Sequence, residues 1–258
     1  MDKDKVRQAA NAVATLLVLV VNVLANALPI NGVTTGEVSD SFAVYFVPAG
    51  YVFAIWGLIY LGLIAFAIYQ ALPSQARDPR LRRIGYAYVL SCLANSAWIF
   101  LWHYRLISWT LVAMFVLLAS LITIYLRLGI GWGRAPSAEL WLVRRHFSVY
   151  LGWITVATVA NVTAVLYQWG WTGWGISAQA WALVMLLVAA AIGIVVAITR
   201  GDTAYLLVLI WAFVGIAVKQ SEAVAVAVAS LVLALVLVVT LILVHQHRPS
   251  LGARASTR

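Results

Sequence analysis

The chain has 258 residues, of which 64% are hydrophobic and only 10% charged, with a formal net charge of +9 and a mean hydropathy of +0.98. A soluble domain of this length carries roughly a quarter of its residues as charges, so the composition excludes a water-soluble globule and calls for a bilayer as solvent. The basic residues stand in short clusters between apolar runs, the pattern of helix-flanking charges, and no nucleic-acid partner is expected.

A spanning helix needs about 20 apolar residues. Runs bounded by charge, Pro or Gly predict eight helices, and the fold class expected is an all-α membrane protein with eight transmembrane helices. In chain order they cover Ala9–Leu28, Gly50–Leu72, Ile84–Trp102, Ser108–Leu128, Phe147–Gln168, Ala178–Ile198, Thr203–Val218 and Ala223–Val244. The first follows a basic start and precedes Ala25-Asn26-Ala27, which loosely resembles a signal-peptide cleavage site. Its apolar run is longer than a signal core, so an uncleaved first helix is expected. Cys92, the only cysteine, lies inside the third run and makes no internal disulfide. The stretch Ala223–Ser230 alternates like a strand but continues into further apolar residues. A lone strand in lipid would leave its backbone unpaired, so a helix is expected there too.

The charges test this count independently. Lys3, Lys5 and Arg7 precede the first helix, Arg77, Arg80, Arg82 and Arg83 follow the second, and Arg127, Arg134, Arg144 and Arg145 follow the fourth. With Arg200 and the tail residues Arg248, Arg254 and Arg258, alternate segments hold 15 of the 17 basic residues, against only Arg105 and Lys219 on the other side. The positive-inside bias then places both termini in the cytoplasm, which an even number of spans requires. The expected location is a bacterial plasma membrane.

No Asp, Glu, Lys, Arg or His falls near the middle of a predicted helix, which argues against an ion-coupled transporter or pump. Lys219 ends its helix and has Gly215, not a carboxylate, four residues before it. A snorkelling lysine is therefore favoured over a retinal-type Schiff base. His103, His146, His245 and His247 all read as interfacial, and His245-Gln246-His247 lacks a third ligand, so no metal site is expected.

What the membrane region holds instead is aromatic and neutral polar. Phe53, Trp56 and Tyr60 share one face of the second helix, Asn95, Trp98 and Trp102 one face of the third, and Tyr150, Trp153, Ala157 and Asn161 one face of the fifth. Packing and an aromatic belt account for any single tryptophan, and Trp169, Trp171 and Trp174 in a Gly-rich connection read as belt residues. Buried amides at Asn95 and Asn161 need partners. They serve either as interhelical bonds or as polar contacts in a pocket walled by tryptophan faces.

Three segments together carry a family resemblance. Pro48-Ala49-Gly50-Tyr51-Val52-Phe53-Ala54-Ile55-Trp56-Gly57-Leu58-Ile59-Tyr60 opens the second helix, Leu93-Ala94-Asn95-Ser96-Ala97-Trp98-Ile99-Phe100 lies in the third, and Tyr150-Leu151-Gly152-Trp153-Ile154-Thr155-Val156-Ala157-Thr158-Val159-Ala160-Asn161 lies in the fifth. In this order they resemble the TspO/MBR family of translocator proteins, or tryptophan-rich sensory proteins, over about Ala9–Gln168. The resemblance implies a five-helix bundle, residues 1–168, that binds a porphyrin such as protoporphyrin IX, or a haem-related molecule, without covalent attachment. By position Pro48, Phe53, Trp56 and Tyr60 match the family's second-helix motif, and Gly50 and Tyr51, within the same segment, are candidate ligand contacts with them. Asn95 and Trp98 match its third-helix motif, with Trp102 a further candidate on the same face, and Tyr150, Trp153, Ala157 and Asn161 match its fifth. Trp56 and Trp153 match pocket tryptophans implicated in light-dependent porphyrin breakdown in some bacterial members.

The departures fall on the first connection. The family's paired prolines are Pro48-Ala49 here, its following tryptophan is Tyr51, and Ser41–Val47 lacks the usual Trp-Tyr and Lys-Pro features. The resemblance therefore does not carry over the lid or the identity of the ligand. Residues 169–258 add three helices and a basic tail without a motif. The expected function is a membrane receptor or sensor for a tetrapyrrole or similar flat hydrophobic ligand, with an uncoupled permease or exporter as the alternative. An enzyme acting on porphyrin ranks below both, since no general acid, base or metal is near. The bilayer and the hydrophobic ligand are the expected partners, and a homodimer is left open.

Overall fold

Backbone groups in hydrocarbon have no water to bond, so long apolar runs satisfy themselves as helices. The computed structural model describes residues 2–133 and 135–247, and helix is the only regular structure among them. The elements are α1 (Lys3–Ala27), α2 (Thr35–Asp40), α3 (Ile55–Ala71), α4 (Pro79–Ile84), α5 (Ala87–His103) and α6 (Ile107–Arg127), then α7 (Ser137–Glu139), α8 (Arg145–Gln168), α9 (Ala178–Arg200), α10 (Thr203–Lys219) and α11 (Val224–His247). A 3-10 turn over Gly50–Ala54 leads into α3, and a π-turn over Leu140–Arg144 joins α7 to α8. The alternating Ala-Val stretch is helical from Val224 onward. Arg134, Arg248, Arg254 and Arg258, used in the charge argument, lie outside the described residues.

Each of the eight expected runs is a helix, but length and composition give six spans rather than eight. Those long and apolar enough are Lys3–Ala27, Gly50–Ala71, Ile107–Arg127, Ser137–Gln168, Ala178–Arg200 and Val224–His247. The other two, α5 and α10, have 17 residues each, about 25 Å of helix against about 30 Å of hydrocarbon. The run expected for α5 began at Ile84, but Gly85 and Tyr86 break the helix and it starts only at Ala87, whereas the run expected for α10 was itself as short as the helix.

The packing centre is α8, which touches α3, α6 and α10, while α5 joins α1 to α6. Helices α9 and α11 pack on α10, so the last three helices reach the first five mainly through α10. Gly152 makes that seam close: a Cβ there would stand 3.1 Å from the Tyr205 carbonyl. Beside it the Tyr205 hydroxyl meets Thr155 Oγ1 at 2.9 Å.

Charges gather at the helix ends, but several are buried rather than solvated. Arg7 donates to the carbonyls of Leu81 and Ala76, and Asp4 pairs with Arg82 and Arg7. Glu139, 2% exposed, accepts from both Arg80 and Arg144 at 2.8 Å. Desolvating a carboxylate needs at least this much compensation.

Candidate ligand site

The first connection is built as a lid. Thr34 and Glu37 cap α2 reciprocally, Thr34 N donating to Glu37 Oε2 at 2.6 Å and Glu37 N to Thr34 Oγ1 at 3.3 Å. Trp102 Nε1 donates to the Thr35 carbonyl at 3.1 Å, and buried His103 holds Thr35 Oγ1 and the Ile30 carbonyl with its two ring nitrogens. Behind α2 the chain passes over the ends of α5 and α8 to Pro48.

Under this lid lies a cavity of about 60 Å³. Pro48 and Phe53 line it from the lid side, Trp98 and Trp102 from α5, and Trp153, Ala157 and Asn161 from α8. Trp98 and Trp102 stack with centroids 5.0 Å apart, and Phe53 meets Trp153 edge-on at 5.7 Å. Ala157 leaves the room that a larger side chain would fill. Trp98 Nε1 donates to Asn161 Oδ1 at 3.0 Å, and Asn161 Nδ2 donates to Thr110 at 2.7 Å. Trp153 is 3% exposed, and its Nε1 has no partner among the described residues.

A second layer sits beside the cavity without lining it. Trp56 stacks on Tyr60 at 5.7 Å and meets Trp153 edge-on at 6.2 Å and Tyr150 at 6.1 Å. Tyr60 donates to Asn22 Oδ1 at 2.9 Å, Asn22 Nδ2 to Asn95 Oδ1 at 2.7 Å, and Asn95 Nδ2 to the Tyr150 oxygen at 3.1 Å. This chain ties α1, α3, α5 and α8 together, so both amide groups of Asn95 are engaged within the protein. Gly50 and Tyr51 lie off the cavity: Gly50 is exposed, and Tyr51 turns to Trp211 of α10, 5.4 Å away.

Asn22, Thr110, Phe42 and the lid contacts of α10 were not legible as site residues. Asn22 could have been found, because an amide in the middle of an apolar run demands a partner as surely as Asn95 does. The α10 contacts carry no sequence signal. Trp211 Nε1 donates to the Val52 carbonyl at 3.2 Å, Ala49 N to the Gly215 carbonyl at 3.0 Å, and Gln220 Nε2 to the Tyr45 carbonyl at 3.0 Å. Both basic residues on the sparsely charged side are spent on the lid as well, Lys219 on Asp40 at 2.7 Å and Arg105 on Ser41 at 2.6 Å. His146, expected at an interface, is instead 6% exposed and packed against Gly62.

The family model of the TSPO-like proteins matches residues 8–243. The chain belongs to the TSPO-like family. It is an integral membrane protein, with helices apolar enough to span a bilayer. No curated protein and no solved structure matches this TSPO-like chain. The match runs from within α1 to within α11 and so reaches all eight long helices among the described residues, including the three beyond Gln168.

Proposed function

We propose that this TSPO-like protein is a membrane receptor or sensor that binds a tetrapyrrole, or a similarly flat hydrophobic molecule, beneath its first connection. The observation that carries this reading is the convergence of Phe53, Trp98, Trp102 and Trp153 on one cavity beside a buried indole N–H without a partner. Aromatic faces stack on a flat π-system, and an unpaired donor in an apolar wall selects a ligand with an acceptor at its edge. A void of about 60 Å³ holds roughly two waters, well short of the ~300 Å³ at which ligand sites begin. Binding therefore requires the lid to move. A neighbouring void of about 180 Å³ shares Val44 and Phe46 with the cavity, so displacing those two side chains joins the spaces and vacates the volume between them.

In this reading residues 1–168 form the ligand-binding bundle, and residues 169–258 brace its lid through α10. Eight helices cross the membrane, with both termini cytoplasmic. Tryptophan-fluorescence quenching by protoporphyrin IX in detergent tests the site. Quenching should be saturable and should weaken at least tenfold in a Trp56→Phe/Trp153→Phe double variant. Equal quenching in wild type and variant would sink the assignment.

A further inference from the structure

Between α3, α8 and α10 an open apolar groove of about 720 Å³ runs along the outside of the bundle. Leu58 and Leu61 of α3, Val149 of α8, and Leu207 and Trp211 of α10 form its walls. An apolar face toward lipid is ordinary in a membrane protein, but two polar groups in this one are not. His146 lies in the groove wall, almost fully buried, and neither ring nitrogen has a partner among the described residues. Such groups are rare in folded proteins and call for an explanation. Its place is provided by Gly62, where any Cβ would collide with His146 Nδ1.

The second group is Arg145. The π-turn over Leu140–Arg144 sends consecutive arginines to different surroundings. Arg144 turns inward to Glu139, whereas Arg145 lines the groove and lies flat on the Trp141 ring, 3.4 Å from its centroid. No carboxylate pairs with Arg145 among the described residues. The groove thus has apolar walls, a buried imidazole and one uncompensated guanidinium, whose planar fork of donors matches a carboxylate.

We infer that this groove is a second site, separate from the aromatic cavity, for a long-chain carboxylate. The acyl chain lies along Leu58, Leu61 and Leu207, and the carboxylate accepts from the Arg145 guanidinium and the His146 ring N–H. Its volume is that of a small-molecule site. A free carboxylate presents its oxygens directly at the end of one chain, as adjacent arginine and histidine donors require, whereas a phospholipid phosphate stands off from its chains by the glycerol esters.

Oleate titrated into the full-length protein in detergent, followed by native mass spectrometry, tests the site. One oleate per chain should be retained, methyl oleate should not displace it, and Arg145→Gln and His146→Phe should each weaken binding at least tenfold. The Arg145 side chain makes no hydrogen bond or ion pair with the other described residues, and the Trp141 ring under it is itself exposed, so Arg145→Gln should shift the melting midpoint little and remains informative even if His146→Phe misfolds. Equal oleate affinity in wild type and Arg145→Gln overturns the proposal. So does displacement of oleate by phosphatidylglycerol but not by stearate, which would give the groove to a phospholipid headgroup.

Discussion

Three asparagines show how a polar side chain is used where water is absent. Asn22 and Asn95 are spent on each other, on Tyr60 and on Tyr150, whereas Asn161 joins Thr110 to Trp98 at the wall of the cavity. Interhelical bonds in membranes contribute about 0.6–1.7 kcal/mol each. Asn95→Ala removes two of them and should destabilise the bundle by about 1–3 kcal/mol, read as a lowered melting midpoint in detergent, with protoporphyrin affinity changed less than twofold. Asn161→Ala should lower the midpoint by a similar amount but also weaken protoporphyrin binding at least fivefold, because it frees the Trp98 ring that forms the wall. If Asn95→Ala weakens the ligand as much as Asn161→Ala does, the division of roles between the two amides is wrong. Helical spacing alone put both amides and all three aromatic stripes on inward faces. It did not distinguish which amide faces the cavity, since that depends on partners such as Asn22 and Thr110 that lie 50 or more residues away.

At the scale of elements, the lid is held from two directions. From below, α5 fixes α2 through Trp102 and His103; from the side, α10 fixes the chain from Asp40 to Val52. Gly215 is the closest approach, since a Cβ there would collide with Val52 Cγ2 and lie 3.2 Å from Pro48 Cβ. Gly215→Val should therefore push the lid away and speed protoporphyrin association at least fivefold in stopped-flow quenching, and an unchanged rate would remove α10 from control of access. A second handle is pH. The Thr34 amide and hydroxyl hold the Glu37 carboxyl below its ordinary value of 4.5. A depressed carboxyl stabilises above its ordinary value and loses that contribution as pH falls through its value in the folded protein. The cap of α2 should thus loosen only below about pH 4.5. Hydrogen exchange at residues 34–41 should accelerate there in wild type, after correction for intrinsic rates, and show no such step in Glu37→Gln. The capping box could have been found in Thr34-Thr35-Gly36-Glu37, a Thr followed three residues later by Glu, but it is not among the features expected from the sequence. The grip of α10 could not, because it runs through backbone carbonyls and a glycine whose neighbours come from more than 150 positions away in the chain.

For the whole molecule the open quantity is how many helices cross, and the contacts between connections constrain it through parity. Arg80 and Glu139 are bonded at 2.8 Å, so the segments after α3 and before α8 lie at one end of the bundle. Only α5 and α6 lie between them. Since α6 is long and apolar enough to cross, a chain that returns to the same end must cross with α5 as well. The Lys219–Asp40 pair extends the argument. Between those residues stand α3, α5, α6, α8, α9 and α10, and an even number of crossings requires α10 once α5 is counted. In the proposed eight-span reading both short helices enter as spans, a mismatch of about 5 Å being met by local thinning of the bilayer or by snorkelling ends. This parity supports the same even count as the charge ledger, by an independent route. Single cysteines in a Cys92→Ala background, labelled in intact cells with an impermeant maleimide, test it. Tyr104→Cys, Thr172→Cys and Ser221→Cys should label from outside, and Ser74→Cys only after permeabilisation. Were α5 to stay on one side, the residues at 104 and 172 would both be protected. Were α10 alone to fail, 221 would be protected while 172 still labels, so the two short helices are tested separately.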